Sequence, residues 1–432
     1  MKKKSLLLLL TIIVFNCYSQ SLLTLEEAIK IVMANNYSII IAKDETQIAK
    51  NNVTIGNAGM LPVVDINGTA ILANYSTQQR LIDNTTIEAK NVPSSNIISG
   101  LNISWTLFDG MKMFATYNKL KESADLSEEQ LKSKIETTLS TVLTNYYSLV
   151  KQKQLIIGIE KNISIYEERL KIAEIKFNIS ALSETDYLQA KVDKNVQKAL
   201  FLKEKNIMNE LKISMNTLLS RSAEIDFTVS DTIPITYNPT YDDLKKTVME
   251  QNHSILAEER NIAVNRYALR EFYSLRYPKI TLLSSYNFSQ NKAPGFIQLN
   301  QMQGLNSGIM ASWTLYSAGN INRQINNAKI NLQKSETVLA STKLNVEASL
   351  LKAFYAYSAS KEMLAIEEEN YLVSQKNVNI ALERYKLGTI STIELMIIQQ
   401  SYERSQTDLI NARFNAKASE IELMRLNGTL MQ

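Results

Sequence analysis

Apolar residues recur at a helical spacing over a long stretch of the first half of the chain. Across residues 131–177 they follow one another in steps of three or four, at a mean spacing of about 3.5, with one polar interruption at Lys153. Proline, which breaks helices, is absent from residues 111–221 and 320–432. The pattern predicts very long coiled-coil helices, the first about 100 Å long over residues 111–177. The seam consists of Leu131, Ile135, Leu139, Val142, Tyr146, Leu149, Lys153, Ile156, Ile159, Ile163, Tyr166, Leu170, Ala173 and Phe177.

Each half of the chain also contains two stretches in which apolar and polar residues alternate. Such alternation gives a β-strand of about ten residues one apolar and one polar face. Four strands of this kind can form a soluble antiparallel sheet or part of a wall between lipid and water. The apolar positions are Val64, Ile66, Ala70 and Leu72; Leu101, Ile103, Trp105 and Leu107; Ile280, Leu282, Tyr286 and Phe288; and Ile309, Ala311, Trp313 and Leu315.

Three features favour the lipid-facing wall. The strands have the length that a tilted transmembrane strand needs. A polar loop of about 20 to 30 residues is predicted to join each pair, as extracellular loops of barrels do. Trp105 and Trp313 lie on the apolar side near strand ends, where interfacial aromatic residues are found. Four strands cannot close a barrel, for which about eight are the minimum, so an oligomer that pools its strands is required.

The second half of the chain repeats the first. Residues 24–39 (TLEEAIKIVMANNYSI) align without a gap with residues 240–255 (TYDDLKKTVMEQNHSI), at an offset of 216. Residues 99–110 (SGLNISWTLFDG) align with residues 307–318 (SGIMASWTLYSA), at an offset of 208. The chain is therefore predicted to be a two-fold duplication of a whole structural half, in which the two tryptophans are equivalent residues.

Each long helix is predicted to end at a matching turn. We call Phe177–Asp186 the first tip and Tyr385–Glu394 the second tip. Gly388 can supply the left-handed residue that ends a helix. A capping role for the acidic residues does not exclude a second role as an acidic ring at the tips. The expected caps are Ser183 and Ser391, with Asp186 and Glu394 completing a capping box in each case.

The composition excludes several classes of function. The chain has one Cys (Cys17) and one His (His253), which cannot supply the ligands of a zinc site, a haem or an iron–sulfur cluster, nor a disulfide framework. A Ser-His-Asp triad would depend on His253, which lacks the Gly-rich strand-to-helix context of such sites. We expect no catalytic residues, no cofactor and no metal.

Residues 1–20 have the pattern of a secretory signal peptide. Three lysines precede an apolar run, Ser5–Phe15, that is too short to span a bilayer. Removal of this segment leaves 44 basic and 43 acidic residues and no Cys. No stripe of basic residues remains that would suggest nucleic-acid binding. No later stretch approaches 18 consecutive apolar residues, so an exported chain without a transmembrane helix is predicted.

In their order and duplication, these motifs resemble the TolC-like outer-membrane efflux proteins. The resemblance rests on the signal peptide, on the repeat, and on SWTLFDG (104–110) and SWTLYSAG (312–319), each entering a long helix. It also rests on the turn Y-x-x-G-x-x-S-x-x-(D/E)-x-(L/M) at 385–396 and on the closing LMRLNGTL (423–430). It covers essentially the whole mature chain.

The resemblance implies a mostly α fold with a small antiparallel β part. In a homotrimer, twelve pooled strands would form one barrel in outer-membrane lipid, and twelve helices would continue it as a tunnel into the periplasm. The implied function is the passive exit duct of a tripartite efflux or type I secretion system of a Gram-negative outer membrane. Its implied partners are a periplasmic adaptor protein and an inner-membrane pump of the RND, ABC or MFS type.

The resemblance also assigns roles to the tips. The family's tip glycine is Ser180 in the first tip, so a different turn geometry is expected there. Ile397 stands where one well-known member has a second acidic residue, so a double acidic constriction is not expected. The implied adaptor contacts are Phe177, Ser180, Ser183, Tyr385, Gly388 and Ser391; the implied acidic ring or gate is Asp186 and Glu394; and the implied membrane-interface aromatics are Trp105 and Trp313.

The predicted organisation follows the repeat. Short helices near residues 25–36 and 241–252 would begin the two halves. The signal peptide is 1–20. The first repeat is 21–221, with strands at about 61–76 and 98–108 and helices at about 111–178 and 183–220. The linker 222–239 would lie at the equator of the tunnel, and the second repeat is 240–432, with strands at about 277–289 and 307–316 and helices at about 319–386 and 391–427.

The main alternative is a secreted coiled-coil spacer or adhesin without channel activity, whose strands form a soluble sheet. It accounts for the long helices but not for the lipid-like strand faces or the polar loops. An enzyme that uses His253 is the third and least favoured hypothesis.

Overall fold

In a computed structural model, the structure describes residues 21–293 and 297–430; the predicted signal peptide lies outside them. Long helices and one four-stranded sheet dominate the described chain. The strands are β1 (Ser21–Leu22), β2 (Val63–Arg80), β3 (Thr86–Phe108), β4 (Phe227–Thr228), β5 (Lys279–Ala293) and β6 (Ile297–Ser312). The helices are α1 (Leu25–Asn35), α2 (Tyr37–Asn51), α3 (Lys112–Asn178), α4 (Glu184–Leu218), α5 (Tyr241–Gln251), α6 (His253–Ser274), α7 (Asn320–Lys386) and α8 (Thr392–Leu426).

The helices of the two halves match in length and position. Helices α3 and α7 have 67 residues each, and α4 and α8 have 35 each. The first and last residues of α7 and α8 lie 208 positions after those of α3 and α4, and α5 follows α1 at an offset of 216. The duplicated, mostly helical fold is therefore confirmed.

One pair of helices breaks the match, because α6 has 22 residues and α2 has 15. Helix α2 ends at Asn51, and the following turn contains Gly56 and Gly59, the latter in the left-handed region (φ +83°). Glycine and asparagine favour turns over helix, and the corresponding segment of α6 carries better helix formers.

The chain divides into two compact units. The first comprises the described residues of Met1–Ile41, Lys134–Glu250 and Val346–Gln432. In its core, α5 packs against α7 and α8. Strands β1 and β4 pair in parallel here, so the predicted linker contains a short strand as well as irregular backbone. The core cluster consists of Leu244, Val248, Leu350, Ala353, Tyr357, Leu423 and Leu426.

The second unit, Ala42–Ser133 and Gln251–Asn345, contains an antiparallel sheet in the order β2-β3-β5-β6. The register joins apolar positions of all four strands in one row; those of the first three strands were predicted, whereas Leu305 lies before the predicted start of the fourth. Ile66 lies opposite Leu101, Leu101 opposite Tyr286, and Tyr286 opposite Leu305. Ile66 is 81% and Leu305 70% exposed, so this apolar face is bare in the single chain.

The opposite face of the sheet is polar. Asp65, Asn102, Ser285 and Asn306 form one row across the four strands, and Asn102 Nδ2 donates to Asp65 Oδ2 at 3.2 Å. At Gly100, an added Cβ would lie 2.2 Å from Oδ1 of the facing asparagine of β5. Glycine therefore leaves the space that this amide occupies.

The predicted strand limits and loops need correction. Strand β3 begins at Thr86 rather than near 98, and β6 at Ile297 rather than near 307, so the predicted polar loops are largely strand. Their serine and asparagine residues pair through the backbone; Ser95, for example, lies opposite both Leu72 and Lys292. Hydrophobic alternation cannot reveal a strand segment whose two faces are both polar.

Strand β6 also ends earlier than predicted, at Ser312 rather than 316. Ser312 pairs with Lys279, the first residue of β5, which follows Pro278. Because proline has no N–H to donate, the ladder stops there. Trp313 therefore follows the strand instead of lying within it.

No helix among the described residues is both long enough and apolar enough to cross a membrane.

Candidate functional site

The first tip reverses the chain between α3 and α4. Ser180 adopts the left-handed conformation with φ +58°. The N–H of Ser180 donates to the carbonyl of Phe177 at 2.9 Å, and the N–H of Ala181 donates to that of Lys176 at 2.8 Å. This pair of bonds is the Schellman arrangement that ends many helices, here without glycine.

The second tip has the same geometry. Gly388 has φ +76°, and its N–H donates to the carbonyl of Tyr385 at 3.1 Å. The N–H of Thr389 donates to the carbonyl of Arg384 at 2.9 Å. The prediction of a different turn geometry at Ser180 is therefore wrong. Serine takes the left-handed position that glycine occupies in the second tip, at an energetic cost that glycine does not incur.

Ser183 and Ser391 cap the helices that follow the tips. The Ser183 hydroxyl accepts the N–H of Asp186 at 3.2 Å and donates to its carboxylate at 2.7 Å. The Ser391 hydroxyl accepts the N–H of Glu394 at 3.2 Å. The carboxylates lie in the first turns of α4 and α8, where the helix dipole stabilises negative charge.

The aromatic residues of the tips pack inside the chain. Tyr385 is 1% exposed and belongs to a cluster with Ala381, Ile390 and Leu395. Phe177 stacks on Tyr187, with ring centroids 5.4 Å apart. Two of the expected adaptor contacts therefore also have a packing role.

The two tips are bound to each other. The Lys176 ammonium donates to the carbonyl of Tyr385 at 2.7 Å and lies 4.3 Å from the centre of its ring. Lys386 pairs with Glu168 of α3 at 2.6 Å. These lysines are absent from the sequence-predicted site. Their position just before or after the aromatic residue of each tip is the only sequence signal for them.

Both tips expose an apolar residue at the same place in the repeat. Ile179 is 69% and Leu387 78% exposed, and the two positions are related by the offset of 208. Each immediately precedes the left-handed residue of its turn. The sequence does not point to either residue, because an isolated apolar residue in a turn belongs to neither periodic pattern.

A buried polar network joins α3, α4 and α8 close to the tips. Arg169 is fully buried, and its Nη1 lies 2.9 Å from Asp193 Oδ2 and 3.2 Å from Gln399 Oε1. Among the described residues, Nε and Nη2 of Arg169 have no hydrogen-bond partner. Its charge therefore depends on Asp193 and on one amide.

The same network holds a second carboxyl group. The Gln197 amide donates to Glu403 at 3.0 Å. Burial raises the pKa of Glu403, and hydrogen bonds from Tyr166 and Gln197 oppose this only in part. Burial and the neighbouring Glu403 carboxylate also raise the pKa of Tyr166. The ionised form of Glu403 is thus disfavoured at this site.

The two tryptophans make equivalent contacts in the two repeats. The indole N–H of Trp105 donates to the carbonyl of Met60 at 2.9 Å, and that of Trp313 to the carbonyl of Arg276 at 3.1 Å. Met60 and Arg276 are themselves related by the offset of 216. Trp105 is 39% and Trp313 60% exposed, so each ring is fixed at one end and open at the other.

The single histidine of the chain lies beside a carboxylate. Nδ1 of His253 lies 2.6 Å from Glu129, which also pairs with Lys132 at 2.9 Å. Within residues 21–293 and 297–430, no group of three or more His, Cys, Asp or Glu side chains could hold a metal ion.

Comparison with known proteins decides the family. The model of the outer membrane efflux protein family matches residues 28–212 and again 244–429, once for each half. The chain belongs to the outer membrane efflux protein family. This assignment leaves the spacer or adhesin alternative without support, and members of the family serve transport.

Individual members are distant in sequence and similar over nearly their full length. The proteases secretion protein PrtF of Dickeya chrysanthemi is 16% identical over 100% of this chain and 93% of its own. The probable efflux pump outer membrane protein TtgC of Pseudomonas putida KT2440 is 21% identical over 94% and 82%. The solved structure of the outer-membrane channel OprN has a TM-score of 0.79 at 16% identity, over 94% of this chain and 90% of that one. The chain has the fold of the OprN channel.

Proposed function

We propose that this protein is a passive exit duct of the outer membrane that works in an efflux or type I secretion system. The four-stranded sheet carries the proposal. Its apolar face is exposed, and among the described residues its outer strands, β2 and β6, each pair with a single neighbour. Unpaired strand edges favour pairing with another chain, and an exposed apolar face favours contact with lipid.

A homotrimer satisfies both requirements. Three copies would supply twelve strands, which is enough for a closed barrel, whereas one copy supplies four. The exposed apolar face would then meet lipid, and the row containing Asp65 and Asn102 would face water. Trp105 and Trp313 would lie at the membrane interface, where a fixed ring with one open side is favourable.

The tips would form the periplasmic end and meet the adaptor. Ser180, Ser183, Gly388 and Ser391 are exposed there. We assign the strongest apolar contacts to Ile179 and Leu387, since a solvent-exposed branched side chain at the end of a turn is a suitable anchor for a partner's pocket. The pump on the other side of the adaptor would be of the RND, ABC or MFS type.

Adaptor binding tests this assignment. The double variant Ile179→Ser, Leu387→Ser is expected to weaken binding of the cognate adaptor at least tenfold, measured by biolayer interferometry on detergent-purified protein. Val192→Ser is a matched control, because Val192 is 53% exposed on α4 and lies outside the turn. Equal losses in the two proteins would contradict the assignment.

Glu394 is proposed to form a three-fold acidic ring at the closed tips. Three like charges at close range repel one another and attract cations, so the ring would favour cation passage. Asp186 would add charge near the same end. Since we propose no catalytic role, His253→Ala is expected to leave transport unchanged; loss of transport with normal folding would contradict this.

Membrane fractionation separates the duct from a secreted spacer. The duct should resist extraction by carbonate and dissolve only in detergent, and chemical cross-linking should give a trimer. Release of the chain by carbonate would contradict the proposal.

A further inference from the structure

A cleft of about 530 Å³ lies where β3 ends and α3 begins. Phe108, Met111 and Phe114, from the end of β3 and the start of α3, line it together with Tyr273 and Tyr277, from the end of α6 and the turn after it. Met111 is 61%, Phe114 52% and Tyr277 59% exposed. All of these residues belong to the second unit, so the cleft is a feature of one compact body.

The backbone beside the cleft shares a feature with the second repeat. Gly110 and Met111 are both left-handed, with φ +72° and +69°, and so are their equivalents Ala318 and Gly319, with φ +50° and +76°. A Cβ at Gly110 would lie 2.5 Å from the carbonyl oxygen of Ser274 and 2.9 Å from Cβ of Tyr277, so only glycine allows α6 to approach this closely.

The cleft has an apolar end and a polar end. Phe108 and Tyr277 lie beside the strands, whereas Asn118 and Arg270 line the cleft farther along α3 and α6. From Met111 to Asn118, α3 rises about 10 Å. The polar layer of a bilayer leaflet is of similar depth, about 5 to 8 Å. Arg270 is the only charged residue among the lining residues, and its guanidinium lies 5.0 Å from the ring centre of Tyr267.

The positions related to the cleft residues by the repeat lack this chemistry. The second-repeat equivalent of Phe114 is Asn322, and the first-repeat equivalents of Arg270 and Tyr273 are Thr54 and Asn57. The repeated sequence therefore does not keep an aromatic residue or a cation at these positions.

We propose that the cleft binds an anionic phospholipid, with its phosphate at Arg270 and its acyl chains along the aromatic wall toward the strands. The proposal rests on the proposed function, because it needs the apolar strand face to lie in lipid. The cleft is continuous with that face at Phe108. Guanidinium pairs with phosphate through charge-assisted hydrogen bonds, and tyrosine rings are suited to the interface between lipid and water.

Native mass spectrometry of the full-length protein tests this inference. The protein, in neutral detergent, is titrated with phosphatidylglycerol or phosphatidylcholine, and the lipid bound per chain is measured. Wild-type protein should prefer phosphatidylglycerol, and Arg270→Gln should lower that affinity about fivefold, the loss typical of one basic residue at a lipid surface. Arg270→Lys should retain most of the affinity. Arg266→Gln is the matched control, since it removes the same charge one helical turn away and outside the cleft.

Three outcomes would overturn the inference. The first is equal binding of the two lipids, and the second is an equal effect of the changes at Arg270 and Arg266. The third is a Phe114→Cys variant that resists maleimide in lipid-free trimers, which would show that another copy covers the cleft. Conductance recorded from the same preparations separates the two proposals. Channels that conduct without lipid preference refute only the lipid site, whereas a chain that neither inserts nor conducts refutes the duct.

Discussion

Replacing Asp193 by Ala is expected to loosen α3 around Arg169. Arg169 is fully buried, and Asp193 is its carboxylate partner at 2.9 Å. Removal of one partner from a buried ion pair costs about 3 to 5 kcal/mol, because the other charge stays buried without compensation. An exposed pair contributes about 1 kcal/mol or less.

Hydrogen exchange measured by mass spectrometry can detect this difference. We assume that the amides of α3 around Arg169 exchange through local opening of this region. Lowering the free energy of that opening by about 3 to 5 kcal/mol then speeds exchange between a hundredfold and a few thousandfold. Lys198→Ala is the matched control on the same two helices. It removes the Lys198–Glu167 pair, which is 3.6 Å apart with side chains 51% and 52% exposed, and should change exchange by about fivefold at most.

A double variant isolates the electrostatic origin of the effect. Arg169→Met combined with Asp193→Leu removes both charges, and apolar replacement of a buried pair is often neutral or stabilising. The double variant should therefore exchange more slowly than Asp193→Ala alone. The reasoning is refuted if Asp193→Ala has no larger effect than Lys198→Ala, or if the double variant is the less protected.

Three further predictions concern single positions. Burial raises the pKa of Glu403, so the folded state favours the protonated carboxyl group. The free energy of unfolding should therefore decrease as the pH rises through that pKa. Glu403→Gln should therefore melt at a higher temperature than wild type at pH 8, and the difference should vanish at acidic pH; a constant or reversed difference would contradict it. Ser180→Gly should stabilise the protein by about 1 kcal/mol and Gly388→Ala destabilise it by about as much, since both positions are left-handed; calorimetry showing the opposite signs would count against this. Gly100→Ala should reduce the folded, heat-modifiable form on gels because of its clash with the facing asparagine within the chain, whereas Gly308→Ala, at the equivalent position of the second repeat and with open space around it in the single chain, should reduce it less; equal losses would exclude the clash as the cause.

The helices are predictable from the sequence because their signals are local and repeated. The long seam through Tyr146 and Tyr166, interrupted once at Lys153, and the absence of proline predict α3, and the duplication extends the prediction to α7. The strands were predicted only in part. Alternation identified the apolar half of each strand, but the ladder continues through polar residues such as Ser95, whose pairing depends on the neighbouring strand.

The candidate site, too, could be predicted from the sequence only in part. The caps at Ser183 and Ser391 followed from short-range chemistry, and the structure contains both hydrogen bonds. Contacts such as Lys176 with Tyr385, or Arg169 with Gln399, join residues more than 200 positions apart. No local pattern contains that information. A charged residue beside the seam, as at Arg169, was the only available sign of a buried network.

Single-channel recording in planar bilayers tests the central claim most directly. The purified full-length protein should insert and give small, discrete, cation-selective conductance steps, and Glu394→Ala should increase the conductance by removing the proposed ring of charge at the tips. A properly folded protein that never inserts, or that inserts without conducting ions, would contradict the account of this chain as an outer-membrane duct.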